Sequence, residues 1–286
     1  TTDPFPVLEK PLMKLLKSLL RVLLATYIIL CLLLLFFQNT FIFHPGKAPT
    51  RTPESAGLIF QNLHLASSNN NKINAWYVPA RENYGTVIFC HGNAGNLANR
   101  LSTLQTWNEL GYNIIAFDYQ GYGASQGSPS EENCYADARA VYQWLSENNK
   151  YQGKLIIHGR SLGGGVATLL ASEIDYSALI LESTFTNIDD MASRMSPFLP
   201  TSILCTTHFN NLERIKSLHK PALFIHSKED KMIPYAMGRM LFNSATEPKT
   251  FFELQGGHNE GYSSTATYSQ ALKQFVTDLP GVNNVP

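Results

Sequence analysis

The sequence predicts an α/β fold: a mostly parallel central sheet with helices on both faces and a small cap, preceded by one N-terminal transmembrane helix. Two observations carry this prediction. Short, continuously apolar runs alternate with amphipathic stretches, which is typical of parallel strands buried on both faces. A long, mostly apolar run, Ser18–Phe37, precedes them. The 286 residues are enough for one large domain behind such a helix.

The apolar run is long enough to cross a bilayer. Ser18–Phe37 contains one charge, Arg21, and 20 helical residues span ~30 Å, the thickness of a bilayer core. A cleaved signal peptide is the alternative, but QNTFIF follows without a small-x-small cleavage site. We therefore expect an uncleaved membrane anchor.

Basic residues are distributed unevenly around this run. Four of them precede it or lie near its start, namely Lys10, Lys14, Lys17 and Arg21, whereas the next two are Lys47 and Arg51. This asymmetry predicts a cytoplasmic N-terminus, with the rest of the chain on the periplasmic, lumenal or extracellular side. The opposite orientation would place the domain in the cytosol. We divide the chain into a basic flank and anchor (1–40), a connector (41–57) and one folded domain (58–286).

Composition excludes several function classes. The net charge is zero, so we expect no nucleic-acid partner. The four cysteines form no CxxC pair and the eight histidines no HExxH helix, so we expect no zinc or thioredoxin-type site. A Cys134–Cys205 disulfide stays open as an alternative.

The apolar runs place seven strands. They are Ile73–Val78, Thr86–Cys90, Asn113–Phe117, Lys154–Ile157, Ala178–Leu181, Ala222–Ile225 and Thr250–Leu254. Apolar spacing of three and four residues predicts helices between them. These are Asn96–Leu110, Ser128–Asn149, Leu162–Ser172 and, at the end, Ser264–Thr277. Ser128 and Glu131 have the spacing of a capping box for the second of these helices, with Pro129 in its first turn.

Polar groups follow the strands at their carboxyl ends, where active sites of such sheets gather. The first buried strand is followed by His91-Gly92-Asn93, and the strand Lys154–Ile157 by HGRSLG. Ser161 in that segment stands between a predicted strand and a predicted helix with glycines on both sides, which predicts a nucleophile elbow. Asp230 and His258 then follow later strands in chain order.

This order of Ser161, Asp230 and His258 predicts a Ser-His-Asp triad. Ser161 would attack, His258 would act as base and then acid, and Asp230 would orient the imidazole. The developing oxyanion needs preorganised N–H donors. We expect them to be the backbone amides of Leu162, directly after the serine, and Asn93 in the first strand–helix loop.

Several other residues are weaker candidates for these roles. Glu229 and Glu182 are the alternative acids. Among the remaining candidates we expect structural roles: buried, hydrogen-bonded side chains for His91, His158 and His226, a loop-fixing carboxylate for Asp118 and a packed core thiol for Cys90.

The sequence resembles the α/β-hydrolase superfamily, and more closely its membrane-anchored group that includes domain-containing proteins 13 and 17. The matching motifs, between Trp76 and Glu260, are WYVPA, HGNAGN, FDYQGYGASQGSPSE, GRSLGGGVA, LESTFTN, HSKEDKMIP and GGHNE. The resemblance implies the triad named above, no metal and no organic cofactor. It also implies hydrolysis of esters or thioesters, since some members remove palmitoyl groups from protein cysteines. The substrate would be a small ester or an acylated molecule.

In this superfamily the lid segment is usually inserted ahead of the strand that precedes the acid. In this sequence the corresponding segment is Ser183–Pro221. Here Pro197 and Pro200 predict a few short helices, a small cap and an open pocket. The apolar residues of this segment would either line an acyl groove or simply pack on the core. They are Met191, Met195, Phe198, Leu199, Ile203 and Leu204. Two other functions stay open: a peptidase of the serine aminopeptidase type, and a non-catalytic membrane scaffold on the same fold.

Overall fold

The computed structural model describes residues 9–151, 153–260 and 266–279. Positions 1–8 of the predicted flank, 280–286 of the predicted domain and the first residues of the helix predicted from Ser264 lie outside this range. In the described part the sheet has eight strands in the order β1-β2-β4-β3-β5-β6-β7-β8. The strands are β1 (Gln61–Ala66), β2 (Lys72–Val78), β3 (Gly85–Cys90), β4 (Asn113–Phe117), β5 (Lys154–Arg160), β6 (Ala178–Glu182), β7 (Ala222–Ser227) and β8 (Lys249–Leu254).

The sheet is mixed but mostly parallel, as predicted. β1, β2 and β4 pair antiparallel, and every pair from β4 through β3 to β8 is parallel. The α-helices of the described residues are α1 (Glu9–Ile42), α2 (Leu101–Glu109), α3 (Glu131–Glu147), α4 (Leu162–Glu173), α5 (Ile188–Met195), α6 (Thr201–Leu204), α7 (Asn211–Ile215), α8 (Tyr235–Ser244) and α9 (Ala266–Thr277).

Helices cover both faces of the sheet, because each central strand is apolar on both sides. In β3, Val87 and Phe89 belong to one buried cluster and Ile88 and Cys90 to the other. The first cluster is covered by α2 and α9, the second by α3, α4, α7 and α8. Each fully buried aliphatic or aromatic side chain contributes roughly 1.5–3 kcal/mol, so the two layers fix the sheet that positions the site.

Three details of the predicted elements are wrong. β1 was not predicted, since only Leu65 in it is buried and its apolar pattern is weak. The predicted helix Asn96–Leu110 is a 3-10 turn followed by α2, because Asn96 caps the turn with its own side chain. α3 begins after Ser130, whose hydroxyl accepts from the Asn133 amide, so the capping box expected at Ser128 does not form.

One long apolar helix precedes the domain, and short helices form the cap. α1 is long and apolar enough to cross a membrane. The predicted cap segment contains α5, α6 and α7, with the break between α5 and α6 at Pro197 and Pro200. Both the helix and the cap lie beside the carboxyl end of the sheet, where the predicted site residues gather.

Candidate active site

Ser161 lies in a strained turn between β5 and α4. Its backbone angles are φ 53° and ψ −121°, a conformation that L-residues rarely adopt. The turn is held because the Ser161 amide donates to the Glu182 carbonyl at 2.9 Å and Thr184 Oγ1 donates to the Ser161 carbonyl at 2.7 Å. Gly163 makes the turn possible, since a Cβ there would collide with the Cys90 carbonyl. This geometry presents the hydroxyl at the N-terminus of α4.

Three predicted side chains form one hydrogen-bonded chain. His258 Nε2 lies 3.1 Å from Ser161 Oγ, and His258 Nδ1 lies 2.7 Å from Asp230 Oδ2. An ionised carboxylate only accepts, so Nδ1 carries the proton and Nε2 is left to accept from the hydroxyl. This tautomer is the one that proton removal from Ser161 requires.

The environment of Asp230 keeps it ionised. Burial alone would raise the pKa of this carboxyl, but the imidazoles of His226 and His258 and the Ile233 amide outweigh it and hold the pKa well below its ordinary value. Asp230 Oδ1 accepts from the amides of Met232 and Ile233, both at 2.9 Å. The neighbouring Glu229, by contrast, is exposed.

The two residues predicted to supply the amide donors, Asn93 and Leu162, line the same cavity as Ser161. Leu162 is the first residue of α4, where an amide has no acceptor within its own helix. The Asn93 side chain fixes its loop, because Oδ1 accepts from the His44 amide at 2.9 Å and from the Tyr122 hydroxyl at 2.6 Å, while Nδ2 donates to the Ile42 carbonyl. The end of α1 thus holds the loop that carries the Asn93 amide.

Sequence reasoning missed a buried ion pair behind the site. Arg160 Nε donates to Glu182 Oε1 at 3.0 Å, and Arg160 Nη2 donates to the His258 carbonyl at 2.6 Å and to Asn259 Oδ1 at 3.2 Å. Burial alone would raise the pKa of Glu182, but hydrogen bonds from His158 and Tyr268 and the charge of Arg160 lower it. Glu182 therefore braces the His258 loop through Arg160. The sequence feature that could have identified Arg160 is its position inside HGRSLG, directly before Ser161.

The other singled-out residues have structural contacts. Trp107 Nε1 donates to His158 Nδ1 at 3.1 Å, His226 Nε2 lies 2.9 Å from the Ile233 carbonyl, and His91 Nδ1 lies 2.7 Å from the Gly92 carbonyl. Asp118 Oδ1 accepts from the Leu97 amide at 3.0 Å and so fixes its loop.

The cysteines are unpaired, and the residues that the structure describes form no metal site. All four cysteines are free thiols, so the Cys134–Cys205 alternative has no support. Cys90 is fully buried, which raises the pKa of its thiol. Over 9–151, 153–260 and 266–279, no group of His, Cys, Asp or Glu side chains is placed to hold a metal ion.

A mostly apolar cavity of about 560 Å³ opens at Ser161. It runs between the cap and the second half of α1, and its lining includes Met191, Met195 and Leu199 from the cap segment and Leu30, Leu33 and Leu34 from α1. Three of the six cap residues expected to line a groove therefore do so. The other three, Phe198, Ile203 and Leu204, do not, and Phe198 and Ile203 are instead exposed.

Comparisons with known proteins agree with this architecture. The model of the family described as serine aminopeptidase, S33, matches residues 81–213. The chain is 33% identical over 219 residues to alpha/beta hydrolase domain-containing protein 17B of Homo sapiens, with 74% of this chain and 73% of that protein covered. It is 34% identical over 201 residues to lysophosphatidylserine lipase ABHD12 of Mus musculus, covering 63% of this chain but only 50% of that protein.

A solved structure has the same fold. Esterase Pf2001 of Pyrococcus furiosus superposes with a TM-score of 0.72 at 20% identity, covering 84% of this chain and 98% of the esterase. The resemblance predicted from the motifs between Trp76 and Glu260 is confirmed by these relatives. The chain therefore belongs to the α/β-hydrolase family.

Proposed function

We propose that this protein is a membrane-anchored serine hydrolase of carboxylic esters or thioesters with acyl chains. The observation that carries the proposal is the hydrogen-bonded chain from Ser161 Oγ through His258 to Asp230 at a strained turn. A serine hydroxyl is a weak nucleophile unless an oriented base removes its proton, and this arrangement supplies that base.

The reaction follows from the positions of these groups. Ser161 Oγ forms a bond to the carbonyl carbon as its proton passes to His258 Nε2, and the amides of Leu162 and Asn93 stabilise the oxyanion. The bond to the leaving oxygen or sulfur then breaks, and His258 returns the proton to that atom. Water then loses a proton to His258 and attacks the acyl carbon. The bond from that carbon to Ser161 Oγ breaks, His258 returns the proton to Oγ, and the acid is released.

The lining of the cavity supports esters over peptides. An aminopeptidase needs acidic side chains to hold a free amino terminus, and the family model that matches is described as a serine aminopeptidase. Among the described residues that line the cavity there is no Asp or Glu. Activity on acyl esters that rises from about two to twelve carbons is expected, whereas preferential cleavage of aminoacyl amides would favour the peptidase.

The anchor and its orientation belong to the same proposal. We retain the division into an anchor (1–40), a connector (41–57) and a catalytic domain (58–286), with the N-terminus cytoplasmic and the domain on the far side. The mouse relative is named a lysophosphatidylserine lipase, which supports a lipid ester as substrate. Protease protection in sealed vesicles tests the orientation, because the far-side domain survives protease added at the cytoplasmic face.

Fluorophosphonate labelling of the full-length protein tests the central claim. The wild type should label and Ser161→Ala should not. Ser196→Ala is the matched control, since Ser196 lines the same cavity but has no role in the proposed chain, and it should label like the wild type. Failure of the wild type to label would favour the non-catalytic scaffold.

A further inference from the structure

We infer that the second half of α1 is a wall of the substrate site, and that this site takes one acyl chain of a lipid ester directly from the adjacent leaflet of the bilayer. The inference rests on the proposed function and deepens it. α1 would then both anchor the protein and determine its chain-length specificity.

One face of α1 lies along the cavity that opens at Ser161. Its lining residues, Leu30, Leu33, Leu34, Gln38 and Phe41, recur at intervals of three and four residues, which places them on one side of the helix. Leu32 lies on the opposite side and is absent from the lining. The helix therefore supplies a mostly apolar stripe facing the cap.

The end of α1 is fixed rigidly to the domain. The Gln38 side chain is 5% exposed, and its Oε1 accepts from the amides of Thr206 and Thr207 in the cap at 2.8 and 3.2 Å. Phe43, directly after the helix, is buried with its ring 6.3 Å from that of Phe209. A flexible tether would not make these contacts, so the wall holds its place beside Ser161.

The dimensions fit one lipid chain. From Leu30 to Ile42 the helix rises ~18 Å, similar to half of the ~30 Å hydrocarbon core of a bilayer. Asn93 contacts Ile42 and His44 at one end of this stretch, so the scissile carbonyl lies at the end of α1 and the tail points toward Leu30. The volume of about 560 Å³ falls in the roughly 300–1,000 Å³ range of single-ligand pockets.

Exposed apolar side chains lie on the cap and beside Asp230. Met195, Phe198 and Ile203 are 79%, 86% and 79% exposed, and Met232 is 57% exposed. Met195 and Met232 also line the cavity. Apolar side chains that are exposed beside a transmembrane helix are covered by lipid when the helix spans the bilayer. A chain can then move from the leaflet into the cavity without crossing water.

The carbonyl end of the cavity favours a compact leaving group. The segment after α1 covers the loop of Asn93, since the Gly46 amide donates to the Gly95 carbonyl and the Gly123 amide to the Gly46 carbonyl. His44 from that segment and Ser196 and Thr201 from the cap line the cavity. We therefore assign a lipid ester, whose headgroup is small, rather than an acylated protein.

Crosslinking from Ser161 tests the wall directly. The full-length protein in phosphatidylcholine nanodiscs is treated with a hexadecyl fluorophosphonate that has a diazirine at the end of its chain. Ser161 Oγ bonds to phosphorus, fluoride leaves and the proton passes to His258. After irradiation, mass spectrometry should find the crosslink within residues 30–41. Labelling of Ser161 with crosslinks only outside α1 would overturn the inference alone, whereas no labelling would overturn the proposed function as well.

Two variants test the specificity. Leu34→Trp fills the cavity, so it should lower kcat/KM for a 16-carbon lysophospholipid at least about tenfold more than it lowers kcat/KM for a four-carbon ester. Leu32→Trp, on the opposite face, should change neither. Equal loss on both esters for Leu34→Trp, or a higher kcat/KM for an S-palmitoylated peptide in the same nanodiscs than for the lysophospholipid, would contradict the assignment.

Discussion

Arg160 Nη2 donates a hydrogen bond of 2.6 Å to the main-chain carbonyl of His258. The guanidinium is buried and its Nε is paired with Glu182 at the end of the neighbouring strand. The residue that precedes the proposed nucleophile in sequence therefore also sets the position of the proposed base. Arg160 acts through His258, so it is a positioning residue.

Replacing Arg160 should slow turnover without much effect on short-chain binding. Arg160→Lys keeps the charge next to Glu182 but loses the planar fork that reaches both Glu182 and the His258 carbonyl. A shift of His258 by about 1 Å would cost roughly 10²-fold in kcat, with KM for a four-carbon ester nearly unchanged. Steady-state kinetics measure both values.

A surface arginine provides the control for this variant. Arg139 pairs with Glu173 at a half-exposed position on α3, so Arg139→Lys should leave kcat within twofold of the wild type, as expected for a surface pair worth about 0–1 kcal/mol. A wild-type kcat for Arg160→Lys would show that the hydrogen bond to His258 has no part in turnover.

Asp230→Asn should abolish most of the activity while the protein stays folded. The amide nearly matches the carboxylate in shape, but it favours the wrong imidazole tautomer and does not stabilise the imidazolium. We expect kcat to fall by about 10⁴-fold. The exposed Glu229→Gln should behave like the wild type. If Glu229→Gln were the inactive variant and Asp230→Asn the active one, the acid would be misassigned.

Much of the fold and the candidate site could be predicted from the sequence, because both depend on local patterns. Continuous apolar runs placed seven strands, and the order of polar residues after them named Ser161, Asp230 and His258, which the structure brings into one hydrogen-bonded chain. Family membership is confirmed by the relatives. The catalytic roles of these three residues remain part of the proposal.

What could not be predicted depends on contacts between distant segments. The pairing of Arg160 with the His258 loop joins residues 98 apart in sequence. The packing of α1 against the cap was also missed, because an apolar helix with one buried glutamine does not show which domain surface it will contact. β1 could not be predicted because it lies at the edge of the sheet and only one of its side chains is buried.

Glu182 should make the protein less stable in acid. Its pKa is lowered in the folded state, so its contribution to stability is complete above the unfolded value of about 4.5 and is lost as the pH falls toward the folded value. The wild-type melting temperature should therefore decrease as the pH is lowered below about 4.5.

Glu182→Gln should be less stable at pH 7, since it leaves Arg160 buried without a counter-charge. Its melting temperature should, however, depend less on pH below about 4.5. Equal pH slopes for the two proteins would contradict this role.

The hydrogen bonds of Gln38 should hold the cap against α1. Gln38→Leu leaves the amides of Thr206 and Thr207 without their side-chain acceptor, and since the Thr207 bond is buried, the cost is roughly 1–3 kcal/mol in local stability. Gln38→Glu keeps an oxygen in that position and should restore much of the loss. Hydrogen exchange of residues 201–207 in nanodiscs measures the coupling, and exchange should speed up in Gln38→Leu but not in the core strand β3. Unchanged exchange at 206 and 207 in Gln38→Leu would mean that the cap holds its position without α1.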